Sequence, residues 1–209
     1  MLLLASASPR RRELLTSAGM SFTVSPGQTD ETWTPGELPR AYVLRVARAK
    51  ARECAHRCRS FAPFLPAESS GPVEDAKPAA LHLERCGPGR ILAADTTVAL
   101  GDRVLGKPVD AAHAAAMLAD LAGRDHHVHT AVVLLDGARE THRMVTTLVR
   151  FRALTASEIE AYIATGEPFD KAGGYGIQGR GGALVDVVRG SYTNVVGLPL
   201  AETLTLLNR

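Results

Sequence analysis

The chain has 209 residues, 45% of them apolar, which suits one large domain or two lobes around one cleft and excludes disorder throughout. Its 24 basic and 22 acidic residues leave a formal charge of only +2, too balanced for a nucleic-acid binder, whose excess charge is concentrated. No run of 18 apolar residues offers a membrane span, and three cysteines are too few and too odd in number for a disulfide scaffold, so a reducing, cytoplasmic setting is expected.

Met1 to Ala5 is apolar but short and runs into Arg10-Arg11-Arg12, which argues against a secretory core. Leu2 to Ala5 is predicted as a buried strand. Ser8 is placed to cap a helix with Pro9 at its first position and Gly19 past its end. Phe22 to Val24 reads as a second strand, and Gln28 to Arg40 as a polar loop. From Arg40 to about Arg57 the pattern is helical, with Val43, Val46, Ala47 and Cys54 on one stripe. Residues 59–89 carry Pro63, Pro66, Pro72, Pro78 and Pro88 around Ser69-Ser70-Gly71, a surface insertion within one domain spanning 1–209. Such insertions are tolerated because loop closure costs only ~0.6 kcal/mol per doubling of length.

Beyond it, Ile91 to Leu100 and Arg103 to Leu105 flank Gly101-Asp102 and predict a hairpin. Asp110 caps a helix through Leu121, closed by Gly123. His129 to Leu135 and Arg143 to Phe151 predict strands around Asp136-Gly137. Thr155 and Glu158 form a capping box for a helix ending near Gly166. A glycine-rich stretch, a strand from Ala183 to Val188, an extended Tyr192 to Val196 and a final helix from Pro199 to Leu207 complete the chain. Helices mixed with hairpins predict an α/β fold, a mixed twisted sheet flanked by helices.

Several segments carry chemistry. Ser6 to Arg12 joins a strand to a helix N-terminus, where the dipole and three arginines oppose one another unless a polyanion binds; a solvated basic turn is the alternative. Asp30-Glu31 lies in a polar loop, either solvated or metal-binding. Lys50 sits on the apolar stripe and either snorkels or meets Glu31, Asp95 or a phosphate. Asp95 interrupts an apolar strand and needs hydrogen bonds, a cation or a metal. Equal spacing from Gly101 predicts that Asp95 and Lys107 lie opposite each other across the hairpin. Six glycines between Gly173 and Gly182 suggest close backbone approach and positive φ, either for a ligand or for a tight multi-turn connection. Gly174 to Gly179 matches G-x-G-x-x-G, yet follows a helix and precedes a strand, so a dinucleotide site is not expected; no P-loop is present.

Taken in order, Ala5-Ser6-Ala7-Ser8-Pro9-Arg10-Arg11, Glu31, Lys50, Ala94-Asp95-Thr96, Lys107-Pro108, Gly166-Glu167-Pro168, Asp170-Lys171-Ala172-Gly173 and Asn194-Val195-Val196-Gly197-Leu198-Pro199-Leu200 resemble the Maf family of nucleoside triphosphate pyrophosphatases. The resemblance implies a two-lobed fold with a central cleft, related to the inosine-triphosphatase fold, Mg²⁺ or Mn²⁺ dependence, and pyrophosphate release. It implies Asp95 as general base, Glu31, Lys50 and Lys107 completing the catalytic group, and Glu31 and Asp95 at the metal. Ser6, Arg10 and Arg11 match positions that handle the triphosphate; Arg11, Thr96 and Gln178 match positions tied to base selectivity. The stretch from Lys171 to Gly179 looks like the subgroup acting on dTTP and UTP. A homodimer and a nucleotide-pool housecleaning role are implied as well, while the charge balance and the lack of an apolar span lead us to expect no nucleic-acid or membrane partner. Two departures stand out: the segment between Lys50 and Asp95 is longer than usual, and Phe169 replaces a more common Met or Leu.

Two other readings remain open. A nucleotide-binding regulator of cell division or septum formation would bind without turnover. A zinc module would use Cys54, Cys58, His82 and Cys86, whose spacing is ligand-like. His126, His127 and His129 are expected to make local polar contacts, with strand alternation separating His127 from its neighbours.

Overall fold

The computed structural model describes residues 1–61 and 89–208, so most of the predicted insertion, with His82 and Cys86, lies outside the described residues. The elements run β1 (Leu2–Leu4), α1 (Pro9–Ser17), β2 (Thr23–Val24), α2 (Pro39–Phe61), β3 (Arg90–Leu100), β4 (Arg103–Leu105), α3 (Ala111–Leu121), β5 (Asp125–Asp136), β6 (Arg139–Phe151), α4 (Ala156–Ile163), β7 (Val185–Arg189), α5 (Tyr192–Val196) and α6 (Leu200–Leu207). Three 3-10 turns, Glu167–Asp170, Ala172–Gly174 and Arg180–Leu184, link α4 to β7.

The seven strands form one mixed sheet in the order β2-β1-β3-β5-β6-β7, with β4 added to β3. β1 lies parallel to β2 and to β3; the other pairs are antiparallel. Apolar side chains on both faces of the central strands make this a sheet covered on both sides. Leu3, Ile91, Ala93, Ala131 and Val133 pack against α2 through Val43, Val46, Ala47 and Cys54, the stripe predicted from spacing. On the other face Leu2, Leu4, Leu92, Ala94 and Val132 meet Leu15 of α1 and Leu206 and Leu207 of α6. A third cluster joins Val98, Val128, Val149 and Phe151 to Leu118 and Leu121 of α3 and Ile159 and Tyr162 of α4.

The sheet has a gap. β1 pairs with β3 only as far as Leu92, and β4 joins the same edge only from Val98. Between them β3 is paired on one side alone, by β5. Residues of both faces of β3 therefore reach the same opening, beyond the carboxyl end of β1.

Local chemistry accounts for most predicted boundaries. The side chain of Asp110 accepts a hydrogen bond from the His113 N–H, and Thr155 and Glu158 form the reciprocal capping box. Other expectations need correction. β5 and β6 are several residues longer than predicted, because tertiary pairing carries polar residues such as His126 and Arg139 into the ladder. The last strand spans Val185–Arg189, since Ala183 and Leu184 belong to a 3-10 turn. Tyr192–Val196 is a short helix, not an extended segment. The Ser191 hydroxyl caps it by accepting from the Asn194 N–H, while the buried Asn194 amide donates to the Val128 carbonyl (2.9 Å) and Thr147 Oγ1 (3.0 Å). Those contacts override the β-preference of Thr193, Val195 and Val196.

Candidate active site

The turn after β1 builds one wall. The Ala5 N–H donates to the Leu92 carbonyl at 2.8 Å, and the chain then turns into α1. Ser8 occupies the N-cap position as predicted, but its hydroxyl makes no capping bond. Pro9 has no N–H to satisfy, so the first-turn N–H groups of Arg10 and Arg11 are left without a side-chain cap. An uncapped helix start beside a cleft is a place for an anion.

Arg11 is buried. Its Nε donates to the Gly197 carbonyl (2.8 Å), and its two terminal nitrogens to Ser6 Oγ (3.0 Å) and Thr96 Oγ1 (3.0 Å). Burial lowers its pKa, opposed by the charges of Asp95 and Glu31. Arg11 thus ties together the β1–α1 turn, β3 and the turn after α5. Thr96 adds a hydroxyl–hydroxyl bond to Thr130 (2.9 Å) on β5.

Asp95 lies on the α2 face of β3. Lys50 Nζ stands 2.7 Å from Asp95 Oδ1 and 2.7 Å from Glu31 Oε1, so the two carboxylates converge on one ammonium. The Lys50 side chain is 14% exposed, so it reaches these anions instead of snorkelling. Burial pushes the Asp95 carboxyl above its ordinary range, against the pull of Lys50 and Arg11. Its neighbour in the polar loop divides the labour: the Asp30 carboxylate accepts from the Thr32 N–H (2.8 Å), while the Glu31 carbonyl accepts from the Tyr42 hydroxyl (2.8 Å) and its side chain turns inward.

Lys107 is not opposite Asp95. The hairpin ladder ends at Val98–Leu105, and Asp95 pairs with Ala131 on the other side. Lys107 sits exposed on the following loop, which is tied to the glycine-rich segment by the Gly173 N–H donating to the Gly106 carbonyl (3.0 Å). It still lines the same cleft.

The segment from Gly166 to Gly182 forms the opposite wall. Positive φ is needed only at Gly166, Gly173 and Gly174. Gly176, Gly179 and Gly181 serve another purpose, close approach. A Cβ on Gly179 would lie 2.4 Å from Glu167 Oε2, and one on Gly181 would lie 2.8 Å from the Gly176 backbone. Composition did not single out Glu167, Asp170 or Lys171 as site residues, though all three line the cleft. Asp170 faces Arg10 at 3.8 Å and pairs with Lys171, whose Nζ also donates to the Glu167 carbonyl (2.8 Å). Gln178 is exposed on the cleft wall.

The result is a cleft of about 710 Å³ lined by Ser6, Arg10, Arg11, Glu31, Lys50, Asp95, Thr96, Lys107 and Gln178 together. Among the described residues five cations line it (the fifth is Lys171), so a polyanion would be held by opposite charge. Two carboxylates meeting at one point, beside room for phosphate oxygens, are the donor set that a hard divalent cation takes; Glu31 and Asp95 fit that requirement. No group of three or more His, Cys, Asp or Glu is arranged for a metal among the described residues. Of the four zinc candidates, Cys54 and Cys58 lie on α2, and His82 and Cys86 lie outside the described residues. The histidines do make local contacts, but with a different pairing from that expected. His127 and His129 share a face and stack at 5.8 Å, as a period of two requires, whereas His126 points oppositely and meets the Tyr175 hydroxyl at 2.9 Å.

A family model described as Maf-like protein matches residues 1–209. Relatives that bear the name dTTP/UTP pyrophosphatase include those of three bacteria. That of Myxococcus xanthus is 50% identical, covering 100% of this chain and 92% of that protein. That of Anaeromyxobacter dehalogenans (strain 2CP-1) is 49% identical, with 100% and 93% covered. That of Bordetella avium is 47% identical, with 100% and 94% covered. Among the described residues, no helix is long and apolar enough to cross a membrane.

Proposed function

The chain belongs to the Maf-like protein family, and from that premise we propose that it hydrolyses dTTP and UTP to the nucleoside monophosphate and pyrophosphate in the cleft above. The observation that carries the proposal is the meeting of Asp95, Glu31 and Lys50 within 2.7 Å contacts, in the same cleft as the uncapped start of α1.

The chemistry is in-line attack of water on the α-phosphorus. A bond forms from the water oxygen to phosphorus, the α–β bridging bond breaks, and pyrophosphate leaves. Catalysis of this kind depends on positioning and charge neutralisation. Asp95 takes the water's proton; burial raises its proton affinity, which suits a base. Lys50 orients that carboxylate and offsets charge growing on the α-phosphate. Arg10, Ser6 and the α1 N–H groups hold the β and γ phosphates, with Lys107 at the mouth of the cleft. Arg11 is too fully engaged to be a mobile clamp; its role is to hold Ser6, Thr96 and Gly197 in place under the nucleotide. Gln178, which has both a donor and an acceptor, meets the pyrimidine edge. Glu31 and Asp95 would hold a divalent cation such as Mg²⁺ or Mn²⁺, which when bound neutralises phosphate charge. A housecleaning role, a cytoplasmic setting and a homodimer belong to the same reading, and sedimentation tests the dimer.

The test is pyrophosphate release from dTTP and UTP with Mg²⁺ or Mn²⁺. Wild-type protein turns over, and Asp95→Asn, which keeps shape but loses charge, falls by roughly 10²-fold or more, the range for removing a general base. Binding of dTTP without release would instead favour a non-hydrolysing regulator, and near-wild-type turnover of Asp95→Asn would remove Asp95 from the mechanism.

A further inference from the structure

The loop carrying Gln178 has almost no side chains of its own to hold it. Between Gly176 and Gly182 four of seven residues are glycine, the poorest composition for a fixed conformation. Yet it is pinned from outside. Glu167 Oε2 accepts from the Arg180 N–H at 2.9 Å, and Oε1 accepts from the Gly181 N–H at 3.1 Å. The Tyr162 hydroxyl donates to Glu167 Oε1 at 2.9 Å and accepts from the Gly176 N–H at 3.1 Å. One carboxylate and one phenol thus secure both ends of a loop whose middle is Ile177, Gln178 and Gly179.

The brace is itself rigid. Tyr162 is buried in the core cluster with Phe151 and Ile159. The Glu167 N–H donates to Thr165 Oγ1 (3.1 Å), and Lys171 holds the Glu167 carbonyl. The neighbouring residue, Pro168, is buried. The glycines at 176, 179 and 181 let the loop settle directly onto the brace: a Cβ at any of them would lie 2.4 to 2.6 Å from a side-chain atom of Glu167, Tyr162 or Lys171.

We propose that Glu167 and Tyr162 are positioning residues that set the base selectivity of this cleft by fixing the loop that presents Gln178. The inference rests on the reading of Gln178 as the group that meets the base, and it adds what makes that reading geometrically possible. An exposed glutamine on a loose loop can rotate to satisfy either base edge; one on a fixed loop favours a single pattern of donor and acceptor. Neither Glu167 nor Tyr162 needs to touch substrate.

The experiment compares kcat/KM for dTTP with that for dCTP and dGTP in wild type, Gln178→Ala, Tyr162→Phe, Glu167→Gln and the double variant Gln178→Ala/Tyr162→Phe. The ratio between two substrates on one enzyme is independent of how much of the sample is folded, so a general loss of stability does not move it. Tyr162→Phe keeps the ring in the core and removes only the hydroxyl. Glu167→Gln keeps the shape but turns an NH₂ donor towards a backbone N–H. Each is expected to relax the dTTP preference about tenfold, the equivalent of one hydrogen bond of ~1.4 kcal/mol. The double variant is expected to be no less selective than Gln178→Ala alone, because the brace acts through that residue. If Gln178→Ala relaxes selectivity but Tyr162→Phe and Glu167→Gln do not, the positioning role is wrong and the reading of Gln178 stands. If Gln178→Ala leaves the ratio unchanged, that reading falls and this inference falls with it. Additive losses in the double variant would also overturn it.

Discussion

Replacing Lys50 with methionine removes the ammonium shared by Asp95 and Glu31 while keeping most of its aliphatic stem against the α2 stripe. The two carboxylates do not contribute equally. The Glu31 side chain is 48% exposed, so its half of the arrangement resembles a surface pair worth ~0–1 kcal/mol. The Asp95 side chain is 9% exposed, and removing one partner of such a buried pair costs ~3–5 kcal/mol, because the remaining charge stays unsolvated. Arg11 still attracts Asp95, so the lower end applies, about 3 kcal/mol, or ~6–12 °C in Tm for a chain of this size. Thermal unfolding with a chelator present, at neutral pH, measures it. Two further results follow from the same reasoning. Lys50→Met/Asp95→Asn regains most of the loss, since the buried carboxylate left without its ammonium is gone. The deficit of Lys50→Met also narrows in acid. A carboxyl whose folded pKa stands above its unfolded value stabilises the fold when protonated and loses that contribution as pH rises through the folded pKa, so lowering the pH restores it. If Lys50→Met melts within a degree of wild type, or the double variant is as unstable as the single one, Asp95 is not a buried charge sustained by Lys50.

Gly173 has φ +72°, and a Cβ there would lie 2.9 Å from the Val98 side chain. Gly173→Ala therefore combines left-handed strain of ~1–2 kcal/mol with overpacking of ~1–3 kcal/mol, and denaturant unfolding is expected to show a loss of at least ~2 kcal/mol. His126 is fully buried beside Phe151 and Tyr175, and burial pulls its pKa down to about 4. The unfolded chain takes up this proton near 6.5, so stability falls as the pH drops from there towards 4, by ~2 kcal/mol between neutrality and pH 5. His126→Phe should lose clearly less Tm over that interval than wild type; equal losses would mean that His126 is not the titrating group.

Much of this architecture was legible because its causes are local. The stripe of Val43, Val46, Ala47 and Cys54, the capping box at Thr155, and the Gly101-Asp102 turn each arise from neighbours in sequence, and each appears in the fold. Lys50 and Asp95 were conspicuous because a charge on an apolar stripe or strand requires a partner, and they found each other. Misreadings arose where the cause is distant. Symmetry about the turn paired Asp95 with Lys107, but the ladder stops at Leu105 when the chain leaves to meet Gly173. Tyr192 to Val196 reads as β until the buried Asn194 is seen bonded to Val128 and Thr147. Glu167 stands in one of the family-like motifs, but its bracing role was not legible, since its partners are the Tyr162 hydroxyl and backbone N–H groups of residues 180 and 181.

The break in the sheet beside β3 makes odd and even positions on one strand into two separate assignments. Asp95 turns to Lys50, and Thr96, one residue on, turns to Arg11. Their parity is guarded by β5 alone, which is paired with β3 without interruption from Ile91 to Ala99. A slip of one residue along that border would turn Thr96 to the face of the ammonium and Asp95 to the face of the guanidinium. Substitutions that loosen β3 from β5, even far from any substrate, should therefore scramble the cleft before they unfold the protein.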